Sequence, residues 1–326
     1  MKKRIKSLLA IAVWTFFCIS ANAQGVQVAT LQHGENMKAY YGSGSFVKAL
    51  EDAVDGDVIS LSSGIFDVPN DEISKRITIQ GAGYVQKETT GRNATYLTGL
   101  TFGEIPDSDI PIIIEGVSLT SISLASVSNV VVRKVSVLNY SNPDNPDDPL
   151  QNVMLEHCRI GTLYDGANLV SNSMIGKTWS AIRGTQFSNC FFAEGSFYES
   201  SLTNCVIAWY GQIGDCLLVN TVVADMDYWT KIDENNHLDN AYIITQEEIA
   251  AMFQQGIDWD ELNDYRLTDA AAAKYTGTDG KQVGVYGGSR PFTDVPGNPQ
   301  IVYHYVAPET NAEGKLPVKF IIEAQK

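Results

Sequence analysis

Tyr164 and Trp179 each stand six residues beyond a small residue that follows a polar turn, Cys158 and Ser173 respectively. Trp209, Tyr210, Tyr228 and Trp229 stand four to eight residues beyond the equivalent Cys205 and Thr221, with Asp165, Arg183, Glu194, Asp225 and Lys231 nearby in the chain. Aromatic rings held open beside polar groups are suited to stacking on the apolar faces of sugar rings. The spacing therefore nominates Tyr164, Trp179, Arg183, Trp209, Tyr210, Trp229 and Lys231 as ligand-binding residues, with a polysaccharide or cell-surface glycan as the partner. The competing use of such rings is to shield a core beneath long turns, and burial statistics lean that way.

Other chemistry-bearing residues are less informative. Asp147 and Asp148 lie in Asn142-Pro-Asp-Asn-Pro-Asp-Asp-Pro, whose prolines mark a loop leaving the regular structure. Calcium is possible there, although a solvated acidic loop is the favoured reading. His157 and Arg159 flank Cys158, but acid/base work by His157 lacks a visible partner. His33, His157, His237 and His304 are too scattered to suggest a Ser-His-Asp triad. Gly42-Ser-Gly-Ser and Gly81-Ala-Gly lack the strand-to-helix context that phosphate binding needs. The sequence thus names no catalytic residue, no metal site and no cofactor, calcium being the one ion left open.

The aromatic residues must be positioned by a repeat. Lys134, His157, Asn172, Asn189, Asn204 and Asn220 are each followed by a small or β-branched residue: Val135, Cys158, Ser173, Cys190, Cys205 and Thr221. The intervals in the second series are 23, 15, 17, 15 and 16 residues, the first enlarged by the proline-rich loop. A period of this length has no room for a helix pair, so each repeat is one coil of a strand solenoid. Asn at the turn tolerates left-handed backbone, and stacked amides are expected to bond one another along an asparagine ladder. That alignment makes His157 a turn residue and the cysteines core fillers. Stacked thiols point in parallel, which disfavours a Cys190 to Cys205 disulfide.

Before the repeats, Ser45 can cap a helix through Val47, Leu50 and Val54 that Gly56 ends. Strands follow at Val58 to Leu61 and Ile77 to Ile79. Thr245 and Glu248 form a capping box before Ile249, Ala250 and Phe253, predicting a helix that closes the far end. The last residues read as strands Ile301 to Val306 and Leu316 to Ile322 around an Asn311 to Gly314 turn.

The first of these segments, with its Gly-Asp turn, Ile-Ser-Leu strand, Gly-Ile-Phe turn and Ile-Thr-Ile-Gln-Gly-Ala-Gly strand, resembles the pectin lyase-like superfamily. The later series Asp264-Tyr-Arg-Leu-Thr, Gly277-Thr-Asp-Gly and Val283-Gly-Val-Tyr-Gly-Gly resembles the closing motif of secreted β-helix proteins of Gram-negative bacteria. Ala271, Ala272 and Ala273 depart from it where a Ser-Pro pair is usual, and a local helix is possible there. The resemblance implies an all-β, right-handed single-stranded parallel β-helix with an N-terminal helical cap and a β-rich tail. It also implies that the aromatic region is where related lyases build clefts. The hydrolase pattern of Asn-Thr-Asp, Asp-Asp, Gly-His-Gly and Arg-Ile-Lys is not found in context.

Residues 1–23 read as an export signal, with Lys2, Lys3, Arg4 and Lys6 before an apolar run from Leu8 to about Ile19, then Ala21 and Ala23. The run is too short to span a bilayer, which takes roughly 20 apolar residues, and Phe16 and Phe17 disfavour lipidation at Cys18. Cleavage leaves 19 basic against 38 acidic residues, a net charge of −19. Nucleic acid binding is thereby disfavoured, and a polyanionic sugar would be repelled unless calcium bridged it. The expected organisation is a signal at 1–23, a β-helix with capping segments at 24–292 and a β-strand tail at 293–326. The expected location is periplasmic, outer-surface or secreted. The function expected is non-catalytic glycan binding; a lyase or hydrolase using residues near Tyr164, Arg183 and Lys231, or a purely structural surface protein, are the alternatives.

Overall fold

The computed structural model describes residues 27–85, 94–143, 149–225, 232, 235–295, 300–307, 309–311 and 313–323. The expected signal, the Asp147-Asp148 pair, Tyr228, Trp229 and Lys231 lie outside the described residues.

The chain forms a parallel β-solenoid of about nine turns, as the repeat requires. Each coil contributes one strand to each of two long sheets, and successive coils pair in parallel. From Ile112–Glu115 through Val130–Arg133, Val153–Glu156, Leu169–Ser171, Gln186–Ser188, Ser201–Thr203, Leu217–Val219 and His237–Asp239, one sheet is built. The other includes Ser136–Ser141, Arg159–Leu163, Met174–Thr178, Phe191–Tyr198, Val206–Ile207 and Val222–Ala224.

Between the two strands of each coil the backbone turns through one left-handed residue. Lys134, His157, Asn172, Asn189, Asn204, Asn220 and Asn240 have φ between 44° and 57°. Asn is the non-glycine residue best suited to this conformation, which explains its run of five here. The next residue points inward. Its N–H would be orphaned in the core, and the side chain one coil on supplies an acceptor. Ser173 Oγ accepts from the Cys158 N–H at 3.1 Å, Cys205 Sγ from the Cys190 N–H at 3.5 Å, and Thr221 Oγ1 from the Cys205 N–H at 3.2 Å. Small hydroxyls and thiols are therefore selected at this position. The four cysteines Cys158, Cys190, Cys205 and Cys216 are buried and unbridged.

The helix Ser45–Asp52 covers the N-terminal end with Phe46, Ala49 and Leu50. Its N-cap is Gly44 rather than Ser45, which lies inside the helix with its hydroxyl buried and unpartnered. Antiparallel strands Val28–His33 and Asn36–Tyr41 complete this end.

The far end departs from expectation. The helix Gln246–Met252, with its Thr245-Glu248 capping box, does not lie across the last coil. Ile249 and Met252 pack on the outer flank of the second sheet instead, beside Val206 and Val222. From there the chain runs back along the solenoid as a strap, including a helix at Asp269–Lys274 over the three alanines, capped by Thr268. The strap covers outward-facing Met174, Phe191, Val206 and Val222, which stand in register on successive coils. Phe191 stacks on Tyr265 at 4.1 Å and meets Phe253 edge-on at 5.1 Å. Burying apolar groups of this size is worth about 1.5–3 kcal/mol each, so the flank forms a second core.

The turn residues hold the strap. Asn220 Nδ2 donates to Thr276 O, Asn204 Nδ2 to Thr278 Oγ1, Asn172 Nδ2 to both Val285 O and Gly287 O, and Lys134 Nζ to Val295 O. His157 Nε2 bonds Arg290 O at 3.1 Å. The strap thus contacts the coils in reverse order. An amide-to-amide ladder along this column is not what forms: the amides of Asn172, Asn204 and Asn220 are drawn off to strap carbonyls and a hydroxyl. An amide pair of that kind occurs at another corner, where Asn152 Nδ2 donates to Asn129 Oδ1 at 2.8 Å.

The tail is an antiparallel pair, Gln300–Val306 with Val318–Glu323, close to the expected strands.

Candidate functional site

The strap does not cover the whole flank. Beside it lies a groove of about 540 Å³ whose lining comes from both the coils and the strap. Its floor is a column of outward positions on successive coils: Leu138, Gly161, Gly176 and Ala193. A Cβ at Gly176 would lie 2.5 Å from the Gly161 carbonyl oxygen and 2.7 Å from the Trp259 ring. Glycine is therefore what lets the strap's Trp259 lie directly against the sheet. Tyr265 stacks behind that indole at 6.0 Å.

One residue further along each strand stands a second column. Thr162, Lys177 and Glu194 are cross-strand partners, and Trp209 follows on the next coil, where its carbonyl accepts from the Gly195 N–H. All four line the groove, with Gln246, Ile257 and Asp258 of the strap segment opposite. Among the described residues, Lys177, Glu194 and Asp258 take part in no ion pair. Their charges are available to a ligand.

Tyr164 and Trp179 stand outside the groove's lining, at the ends of the strands that carry Thr162 and Lys177. Their rings stack at 5.3 Å with 25° between planes, close to the roughly 4.8 Å spacing of adjacent strands. Lys177 Nζ lies 5.8 Å from the centroid of Trp179, linking the pair to the groove. Trp179 is 66 % exposed and Trp209 43 %, so both present ring surface to solvent.

Of the remaining nominated residues, Tyr210 and Arg183 are placed elsewhere, and Trp229 and Lys231 lie outside the described residues. Tyr210 is only 2 % exposed and belongs to the interior. Trp209 lies in the corner between the strands Val206–Ile207 and Tyr210–Gly214, and the chain turns inward at Tyr210, where the next strand begins. Arg183 sits on a third face, formed where Ile182–Arg183 pairs with the end of Phe191–Tyr198. There it lies over the Tyr198 ring at 4.2 Å and 3.8 Å from Glu199. Asp165 accepts from Asn142 N and Ser141 Oγ, and so braces a corner. The structure thus groups Tyr164, Trp179, Trp209 and Glu194, and adds Lys177, Asp258 and Trp259, which sequence reasoning missed. Lys177 had a usable signal, since it shares its repeat position with Glu194. Trp259 and Asp258 had none, because the strap does not repeat.

His157 is no catalytic candidate in this setting. It is committed to the strap carbonyl, and burial holds its pKa below the usual histidine value.

Comparison of the chain with protein-family models, with curated proteins and with solved structures finds no match. Function must be argued from the groove.

Proposed function

We propose that this protein is an exported, pectin lyase-like β-helix whose flank groove binds an extended neutral glycan. The observation that carries the reading is a coil-spaced aromatic pair, exposed Trp179 on half-buried Tyr164, near a groove that is lined by two further indoles and floored by glycine and alanine. Sugar rings present flat C–H faces that stack on indole, and their hydroxyls need donors and acceptors at the edge. Trp179, Tyr164 and Trp209 supply the first, and Lys177, Glu194, Gln246 and Asp258 the second. Two carboxylates against one ammonium in the groove, on a chain of net charge −15, disfavour polyuronates. The N-terminal signal pattern supports export.

The test is retention on a panel of immobilised neutral and acidic polysaccharides. Retention by neutral members, lost in Trp179→Ala and Trp209→Ala, supports the reading. No retention by any member leaves the purely structural role as the account to adopt.

A second reading rests on one specific observation: Glu194, Asp258 and Lys177 line the same groove. Paired carboxylates are the machinery of glycoside hydrolysis, and a base beside a sugar is that of a lyase. Release of reducing or unsaturated ends, abolished by Glu194→Gln or Asp258→Asn, would establish an enzyme.

A further inference from the structure

A second cavity, of about 350 Å³, lies on the same flank under the strap, separate from the glycan groove in its lining. Its inner wall carries Arg159, which is 5 % exposed. A buried guanidinium must have its donors paired, yet only Nη1 is used, donating to Glu261 O at 3.0 Å and Asn263 O at 2.6 Å. Nε has no partner at all, and no hydrogen bond from Nη2 is made among the described residues. Those two nitrogens form the edge that takes a carboxylate bidentately. Phe292, with its ring 5.3 Å from the guanidinium, holds the group in place.

The other charges narrow the ligand. Arg266 is paired with Asp264 at 3.4 Å, so these two largely cancel. Glu261 and Asp294 also border the cavity, and the Glu261 carboxylate has no partner among the described residues. A dianion such as phosphate or sulfate would meet this excess of negative charge. A molecule with one carboxylate and one ammonium would not: the first satisfies Arg159 and the second Glu261, with Asp294 adding to the field. Arg159 Nη1 bonds the backbone of Glu261, so the two residues are neighbours in the wall of one cavity. Tyr286 and Phe292 supply apolar wall for a side chain.

We propose that this cavity binds a free α-amino acid, with Arg159 on its carboxylate and Glu261 on its ammonium. The probe is L-phenylalanine, titrated calorimetrically into the full chain against 3-phenylpropionate, 2-phenylethylamine and sodium sulfate. L-Phenylalanine should bind saturably, and each single-charge analogue at least tenfold more weakly, since 2-phenylethylamine leaves the buried Arg159 unmet and 3-phenylpropionate lacks the ammonium that Glu261 attracts. Glu261→Gln breaks no side-chain hydrogen bond or ion pair among the described residues, and should lower phenylalanine affinity about tenfold with the melting temperature unchanged. Arg159→Lys should abolish binding; should its strap loosen, the Glu261→Gln result stands alone. Absence of saturation, equal binding of 3-phenylpropionate or sulfate, or unchanged affinity in Glu261→Gln would overturn the assignment.

Discussion

The turn residues act on the strap, and Asn172 is where that can be measured. Its Nδ2 donates at 3.0 Å to both Val285 O and Gly287 O, and the side chain is buried. Asn172→Gly keeps the left-handed turn, φ 44°, without steric cost and removes only the amide. Gly287 O then loses its donor, whereas Val285 O keeps the Phe292 N–H at 2.8 Å. A buried group left unsatisfied costs about 1–3 kcal/mol, so the loss is set at about 2 kcal/mol. If the strap opens as a unit, that cost speeds opening-limited amide exchange about 30-fold. The assay is native-state hydrogen exchange read by mass spectrometry on peptides covering 276–295, with peptides from 153–163 as internal reference. Acceleration should be confined to the strap. Asn172→Ala should lose a further 1–2 kcal/mol or so, because a Cβ without a polar tip resists the left-handed turn. Strap exchange at the wild-type rate in Asn172→Gly would refute the clamp and leave the Asn column as a turn former only.

Three further outcomes follow from the same geometry. His157 is held neutral by burial while bonded to Arg290 O, so its folded pKa lies below the unfolded value of about 6.5. Its contribution is complete above that pH and fades as pH falls through the depressed folded pKa; His157→Gln should flatten this part of the stability profile, and an unchanged acid slope would count against it. Burial pushes the Cys158 thiol up to about 12 and raises Cys205 well above its usual value, so a thiol reagent at pH 8 should label Cys158, Cys190, Cys205 and Cys216 only after unfolding. Rapid labelling of the native protein would show that the interior is open. Gly176→Ala places a methyl against the Gly161 carbonyl and Trp259; it should cost about 1–3 kcal/mol by denaturant unfolding and weaken glycan retention, whereas wild-type values for both would dissociate Trp259 from the groove.

Much of the solenoid is legible in the chain because its period is strict. The left-handed Asn positions and the small inward residues after them are dictated coil by coil, with little freedom for context to intervene. The strap was not legible as a strap. Phe191 beside Phe192, Val206 beside Ile207 and Val222 beside Val223 read simply as buried runs, although alternation makes one of each pair face outward. Two adjacent apolar residues at that point of three coils signal a covered flank, but nothing local says what covers it. The same holds at the site. Tyr164, Trp179 and Trp209 emerge from counting along coils, while Tyr210 is misjudged by counting alone, because the chain turns inward between the corner at Trp209 and the strand that begins at Tyr210. Trp259 comes from a segment without periodicity, placed only by the outward core it buries.

The central claim is that the exposed indoles of the flank groove bind neutral glycan, and affinity electrophoresis through gels containing the polysaccharides that retain the protein measures it directly. Wild-type protein should be retarded by neutral polymer, and Trp179→Ala and Trp209→Ala should each migrate as in a plain gel with melting temperatures close to wild type. Retardation of both variants equal to wild type, or loss of retardation only together with a collapsed melt, would contradict the account.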